Sequence, residues 1–108
     1  MLKCSRSGNK LTVSLCGEID HCTSGNMRDE IERILSDQMI KELHLDFSRV
    51  SFMDSSGVGM IIGRYKTMKA RKGRITAGGM GSELKKVYRL AGLHRIIPLS
   101  EEGENVEQ

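Results

Sequence analysis

The stretch Asp54-Ser55-Ser56-Gly57 sets two hydroxyls directly after a carboxylate and directly before a helical apolar pattern, Val58, Ile61, Ile62, Tyr65 and Met68. Asp and Ser in front of such a pattern are N-cap residues, because their side-chain oxygens accept the orphan N–H groups of the first turn. The bland reading is a cap and nothing more. The chemical reading is a hydroxyl held at the positive end of a helix dipole, on the sheet edge where ligands and partners meet an α/β protein.

A serine nucleophile would need a base, and the imidazoles are His21, His44 and His94. His44 alternates with apolar strand residues and is expected to face solvent. His94 opens an expected last strand. Only His21, in the loop after the strand ending at Cys16, could approach Ser55. Asp54 and Ser56 flank Ser55, so the G-x-S-x-G elbow is missing and hydrolysis has no support. Gly57, Gly59 and Gly63 are spaced G-x-G-x-x-x-G, which departs from the dinucleotide fingerprint. Gly59, Gly63 and Ala70 share one side of the helical wheel and are expected to let the helix backbone lie close to a neighbour. Cys16, His21 and Cys22 are near one another, but a fourth ligand at suitable spacing is missing, so no metal is expected.

Charge and cysteine usage narrow the class further. The three cysteines Cys4, Cys16 and Cys22 form no C-x-x-C, which points to a reducing, cytoplasmic setting rather than a disulfide framework. Arg64, Lys66, Lys69, Arg71, Lys72 and Arg74 make a basic run, but on a helix they spread over several faces and no aromatic platform accompanies them. Nucleic acid is therefore not an expected partner. No apolar run approaches the ~20 residues of a membrane span, and MLKCSRSGNK carries no secretory h-region.

The elements that would position Ser55 follow from periodicity. Residues 3–6 read as a short edge strand and residues 11–16, LTVSLC, as a half-buried one. Thr23 or Ser24 can cap a helix over about 24–37 with stripe Met27, Ile31, Ile34 and Leu35. ELHLDF, 42–47, is the next strand, followed by a helix over 55–71 and a strand over 74–77. Ser82 can cap a third helix over 82–91, with Gly92 at its C′ position. Ile96, Ile97 and Leu99 suggest a last short strand. At 108 residues this is one domain. The alternation of strands and helices predicts an α/β fold, with a small, mixed, mostly parallel sheet and helices packed mainly on one face. Residues 99–108 read as a frayed or weakly helical tail.

Four blocks carry a family resemblance: Gly17-Glu18-Ile19-Asp20-His21, Ser51 to Gly57, Gly63-Arg64-Tyr65-Lys66 and Leu90-Ala91-Gly92-Leu93. Together they resemble STAS-domain anti-sigma factor antagonists of the SpoIIAA type, over nearly the whole chain. The resemblance implies a switch, not an enzyme. Ser55, directly after the Asp, would be phosphorylated by the anti-sigma factor, itself a SpoIIAB-like serine kinase. The unphosphorylated form would bind that kinase and release a sigma factor, and a PP2C-type phosphatase would reset the cycle. No cofactor belongs to this chain, since the kinase supplies the ATP.

A contact surface of Asp20, His21, Met53, Asp54, Ser56, Gly57, Gly79, Met80, Gly81 and Ser82 is implied, on a domain monomeric when free. Sporulation is the favoured setting, with another sigma factor or an unphosphorylated scaffold as alternatives. The family's final amphipathic helix is expected to be reduced or absent here.

Overall fold

The computed structural model describes residues 2–100. The expected tail lies, from residue 101 onward, outside the described residues. β1 (Leu2–Ser7) and β2 (Lys10–Ile19) form an antiparallel hairpin. α1 (Ser24–Ile34) leads to β3 (Glu42–Met53), parallel to β2, and α2 (Ser55–Ala70) leads to β4 (Arg74–Gly78), parallel to β3. α3 (Ser82–Leu90) and a 3-10 helix (Leu93–Arg95) follow. Strand order is β1-β2-β3-β4, the mixed and mostly parallel sheet expected of the alternating pattern.

Period-two alternation decides what each face carries. Leu11 and Val13 of β2 stand beside Leu43 and Leu45 of β3, which stand beside Ile75 and Ala77 of β4. All are buried, in one core with Met27, Ile31 and Leu35 of the first crossover, Ile61 and Met68 of α2, and Tyr88 of α3. The opposite face is polar: Thr12, His44 and Thr76 form one row, Ser14 and Asp46 the next. Ser14 Oγ donates to Asp46 Oδ2 at 3.2 Å.

Several expectations are corrected. His44 does face away from the apolar core, but it is buried rather than solvated. Its Nδ1 shares a 2.7 Å hydrogen bond with Thr76 Oγ1 across the strands. β2 and β3 run on to Ile19 and Met53 instead of ending near 16 and 47. Register shifts between Ser14 and Cys16 and between Gly17 and Glu18 absorb the broken alternation and keep the ladder paired. The third helix is capped by Gly81, and Ser82 is its first residue. Ile96 and Ile97 form no strand. His94 lies in the 3-10 helix, and only Leu99 bridges to Ala77, with Ser100 N–H donating to Ala77 O at 2.7 Å. Tyr88, fully buried, fastens this segment by donating its hydroxyl to Ile97 O at 2.6 Å, and burial pushes its pKa well above the usual phenol value.

The basic run also dissolves. Arg64 is buried inside the domain, with Nε 2.6 Å from Glu32 of α1. Arg71 turns its guanidinium onto Leu35 O (2.6 Å), Ile40 O (3.1 Å) and Asp37 O (3.2 Å), the loose carbonyls after α1. Two of the six charges thus serve packing. α1 ends at Ile34 rather than near 37.

Candidate functional site

Local chemistry sets the start of α2. Asp54 is extended (φ −111°, ψ −167°), and its Oδ1 accepts Ser56 N–H at 2.8 Å and Gly57 N–H at 3.3 Å. The cap expected here therefore forms. It uses the carboxylate, not a serine hydroxyl. Ser55 is the first helical residue and is exposed; Ser56 is half-buried.

The residues beneath are fixed by contact. Asp54 N–H donates to Ile19 O at 3.2 Å, tying the start of α2 to the end of β2. A Cβ on Gly57 would lie 2.5 Å from Met53 Cγ and 2.9 Å from Ile19 O, so only glycine lets the helix start this close to the sheet. The close packing expected of Gly59 and Gly63 is not found: a Cβ at either would meet nothing within 4 Å. The intimate glycine is Gly57, which faces Met53 and Ile19, whereas Gly59 and Gly63 line an open cleft between α2 and α1.

The loop after β2 is a self-contained turn. Asp20 Oδ1 accepts Cys22 N–H at 2.9 Å and Thr23 N–H at 3.1 Å. The Cys22 N–H, then the N–H and hydroxyl of Thr23, hold the Asp20 carboxyl below the usual range, against an opposing effect of burial smaller than that of Cys22. Thr23 sits at the N-cap of α1 but gives no side-chain cap; its hydroxyl donates to Glu18 O at 2.7 Å. His21 is exposed, and its Nε2 lies 3.6 Å from Cys22 Sγ. Among the described residues no three His, Cys, Asp or Glu side chains gather as a metal site needs.

The expected contact residues thus separate by position. Asp20, Asp54 and Gly57 are brought together through Ile19, with His21 beside Asp20. Gly81 and Ser82 meet Met53 across a groove of about 380 Å³ whose walls include Val50, Phe52 and Val87. Met53 and Met80 are core residues, 3% and 5% exposed, and shape this surface from below. Gly79 (φ +79°) packs against Asp46 and Ser48, nearer the middle of β3 than the start of α2. Sequence reasoning missed Phe52, which is 48% exposed in the groove. Two adjacent apolar residues, Phe52 and Met53, at a strand end were the available signal, since a strand can bury only one of them.

Comparison with known proteins places this geometry. The STAS domain family profile matches residues 3–105. An anti-sigma F factor antagonist of Paenibacillus polymyxa is 30% identical over 95 residues, spanning 88% of this chain and 81% of the relative. An anti-sigma-B factor antagonist of Listeria monocytogenes is 29% identical over 103 residues, spanning 92% of this chain and 87% of the relative. The solved structure of the anti-sigma factor antagonist SpoIIAA in its unphosphorylated form superposes with TM-score 0.82 at 27% identity, over 99% of this chain and 94% of that one. The phosphorylated form of SpoIIAA from Bacillus, a cell fate determinant, gives TM-score 0.74 at 27% identity over 99% and 97% of the two chains. The chain therefore belongs to the STAS-domain family and, within it, to the anti-sigma factor antagonists, which are regulators rather than enzymes.

Proposed function

We propose that this chain is the phosphorylated switch of a partner-switching cycle, with Ser55 as the switch residue. The observation that carries the reading is the exposed Ser55 at the first position of α2, directly after the Asp54 cap. The relative SpoIIAA exists in phosphorylated and unphosphorylated forms, which supports it. Unphosphorylated, the chain binds an anti-sigma factor that is also a serine kinase, and a sigma factor is freed. The kinase, with its own ATP, phosphorylates Ser55 and the complex dissociates; a PP2C-type phosphatase resets it in the cytoplasm.

The physics suits such a switch. A phosphoryl group adds about −1.5 to −2 charges next to Asp54, and the helix N-terminus can solvate it without refolding the domain. A partner packed over Ser55 would have to desolvate it. Left unpaired, that costs about 3–5 kcal/mol, or roughly 10²–10³-fold or more in affinity. Asp20, His21, Asp54, Ser56 and the Gly81–Ser82 edge border the same contact, with Met53, Gly57 and Met80 supporting it from beneath and Gly79 set back beside Asp46 and Ser48.

A sporulation sigma factor is the favoured target, given the SpoIIAA likeness over 99% of the chain. The anti-sigma-B relative, matched over 92% of the chain, favours a stress sigma factor as the second reading. Incubation with the cognate kinase and ATP, followed by peptide mapping of wild type, Ser55→Ala and Ser56→Ala, is the test. Phosphate lost only in Ser55→Ala is the expected result. No phosphate with an active kinase, or Ser55→Asp binding the kinase as tightly as wild type, would overturn the reading. Which kinase supports turnover, that of a sporulation or of a stress operon, separates the two targets.

A further inference from the structure

α1 and α2 enclose a second feature, apart from the exposed Ser55 hydroxyl. A cleft of about 280 Å³ is bounded by Ser24 and Arg28 of α1 and by Ser56, Gly59, Gly63 and Arg64 of α2. Arg64 lines it with a side chain only 7% exposed. Its Nε is ion-paired with Glu32 Oε2 at 2.6 Å, and its Nη1 has no hydrogen-bond partner. A buried guanidinium N–H left unpaired forfeits the hydrogen bond it would make in water. Glu32 is itself shared, since its Oε2 also accepts the Thr67 hydroxyl at 2.9 Å.

Arg28 brings a second guanidinium to the cleft, with its Nε on the exposed carboxylate of Asp29 at 3.0 Å. Burial lowers the Arg64 pKa; Glu32 opposes that shift, and the charge of Arg28 lowers it further. Two guanidiniums thus meet at one cleft, each with one nitrogen on a carboxylate, Arg64 on Glu32 and Arg28 on Asp29. Neither helix has an acidic residue in its first turn.

The glycines argue the same way. Each disfavours an α-helix relative to alanine, yet nothing packs on Gly59 or Gly63. Their lack of side chains leaves the floor of the cleft open. Its volume falls below the ~300–1,000 Å³ of drug-sized ligand pockets, which suits a single tetrahedral group with its waters rather than a nucleotide.

We propose that this cleft is an oxyanion site for one phosphate group, with Arg64 and Arg28 as donors and Ser56 at its rim. The group can come from free inorganic phosphate or from a phosphoryl on Ser56 itself. The site does not depend on phosphorylation of Ser55.

Amide NMR spectra of the full unphosphorylated chain, titrated with inorganic phosphate at constant ionic strength, test the first source. Expected are saturable shifts at Ser24, Gly25, Ser56 and Gly59, weakened at least tenfold in Arg28→Gln, whose exposed site leaves the core intact. Arg64→Lys, which keeps the charge but loses the planar fork, should weaken binding as well. Phosphoserine encoded at position 56 tests the second source: its 31P resonance should move with Arg28→Gln, and free phosphate should no longer bind. Saturable binding that Arg28→Gln weakens in the first arm, or an Arg28-dependent resonance in the second, supports the site. Shifts that are unsaturable and equal in wild type and Arg28→Gln, together with a 31P resonance indifferent to Arg28, would overturn it. Neither arm needs the kinase, so failure here is separable from failure of the Ser55 switch.

Discussion

The Asp54 carboxylate accepts the Ser56 backbone N–H at 2.8 Å, so the cap of α2 is made without using either serine hydroxyl. The hydroxyl of the exposed Ser55 therefore has no part in the cap. Asp54→Ala removes this cap, and such losses cost about 1 kcal/mol. Chemical denaturation should show that decrease with an unchanged m-value. Asp54→Asn, which keeps an acceptor oxygen, should recover most of it.

Two glycines two residues apart should respond in opposite directions to the same substitution. Gly57→Ala forces a methyl against Met53 and the Ile19 carbonyl. Overpacking of this kind costs about 1–3 kcal/mol, more than the helix-propensity gain of up to ~1 kcal/mol. Gly59→Ala meets nothing within 4 Å and should stabilise, by roughly 0.5–1 kcal/mol. Thermal melts of the pair decide it; a stabilised Gly57→Ala would mean the start of α2 stands off the sheet.

Arg71 holds the chain after α1 by donating to three carbonyls, Leu35, Asp37 and Ile40. Hydrogen bonds from a charged donor are worth about 1.5–3 kcal/mol each at most, and they share one side chain, so Arg71→Ala should cost about 2–3 kcal/mol. For a domain of this size that lowers the Tm by roughly 10–20 °C. Arg71→Lys should recover less than half, since an ammonium cannot span three acceptors.

Acid should loosen the loop beside Ser55. The N–H groups of Cys22 and Thr23 hold the Asp20 carboxyl below its ordinary value of 3.8. A group whose folded pKa is depressed stabilises above its unfolded value and loses that contribution as pH falls through the folded one. The Asp20 share is therefore complete above about pH 4 and is lost progressively as pH falls from there through the lower folded value. NMR titration of the Asp20 carboxyl gives the folded value directly. In Asp20→Asn the stability profile should be flatter on the acid side, and an unaltered profile would refute the assignment.

Much of the fold was legible because it rests on local patterns. The alternation Leu11, Val13, Leu15 and Leu43, Leu45, Phe47 specified which residues point to the core, and Asp54 before an apolar helical stripe specified the start of α2. Gly92 at φ +78° ends α3 where the sequence places it. The helical stripe itself was rotated: Gly57, Met60, Ile61, Arg64 and Met68 are buried, while Val58, Ile62 and Tyr65 are only partly so. Hydrophobicity cannot reveal that an arginine is inside, because a buried Arg64 depends on Glu32 from another helix.

Local pattern fixes four strands and three helices, though not the segment after α3, together with the hydroxyls at the start of α2 and the family to which they belong. These follow from spacing along one chain, where periodicity and capping act within a few residues. Three-dimensional packing is what makes Asp54 rather than a serine the cap, Gly57 and not Gly59 the close contact, and Arg28, Arg64 and Ser56 neighbours in one cleft. Each of those depends on which residues remote in sequence become neighbours, and that is set by the parallel crossovers and the packing of α1 against α2.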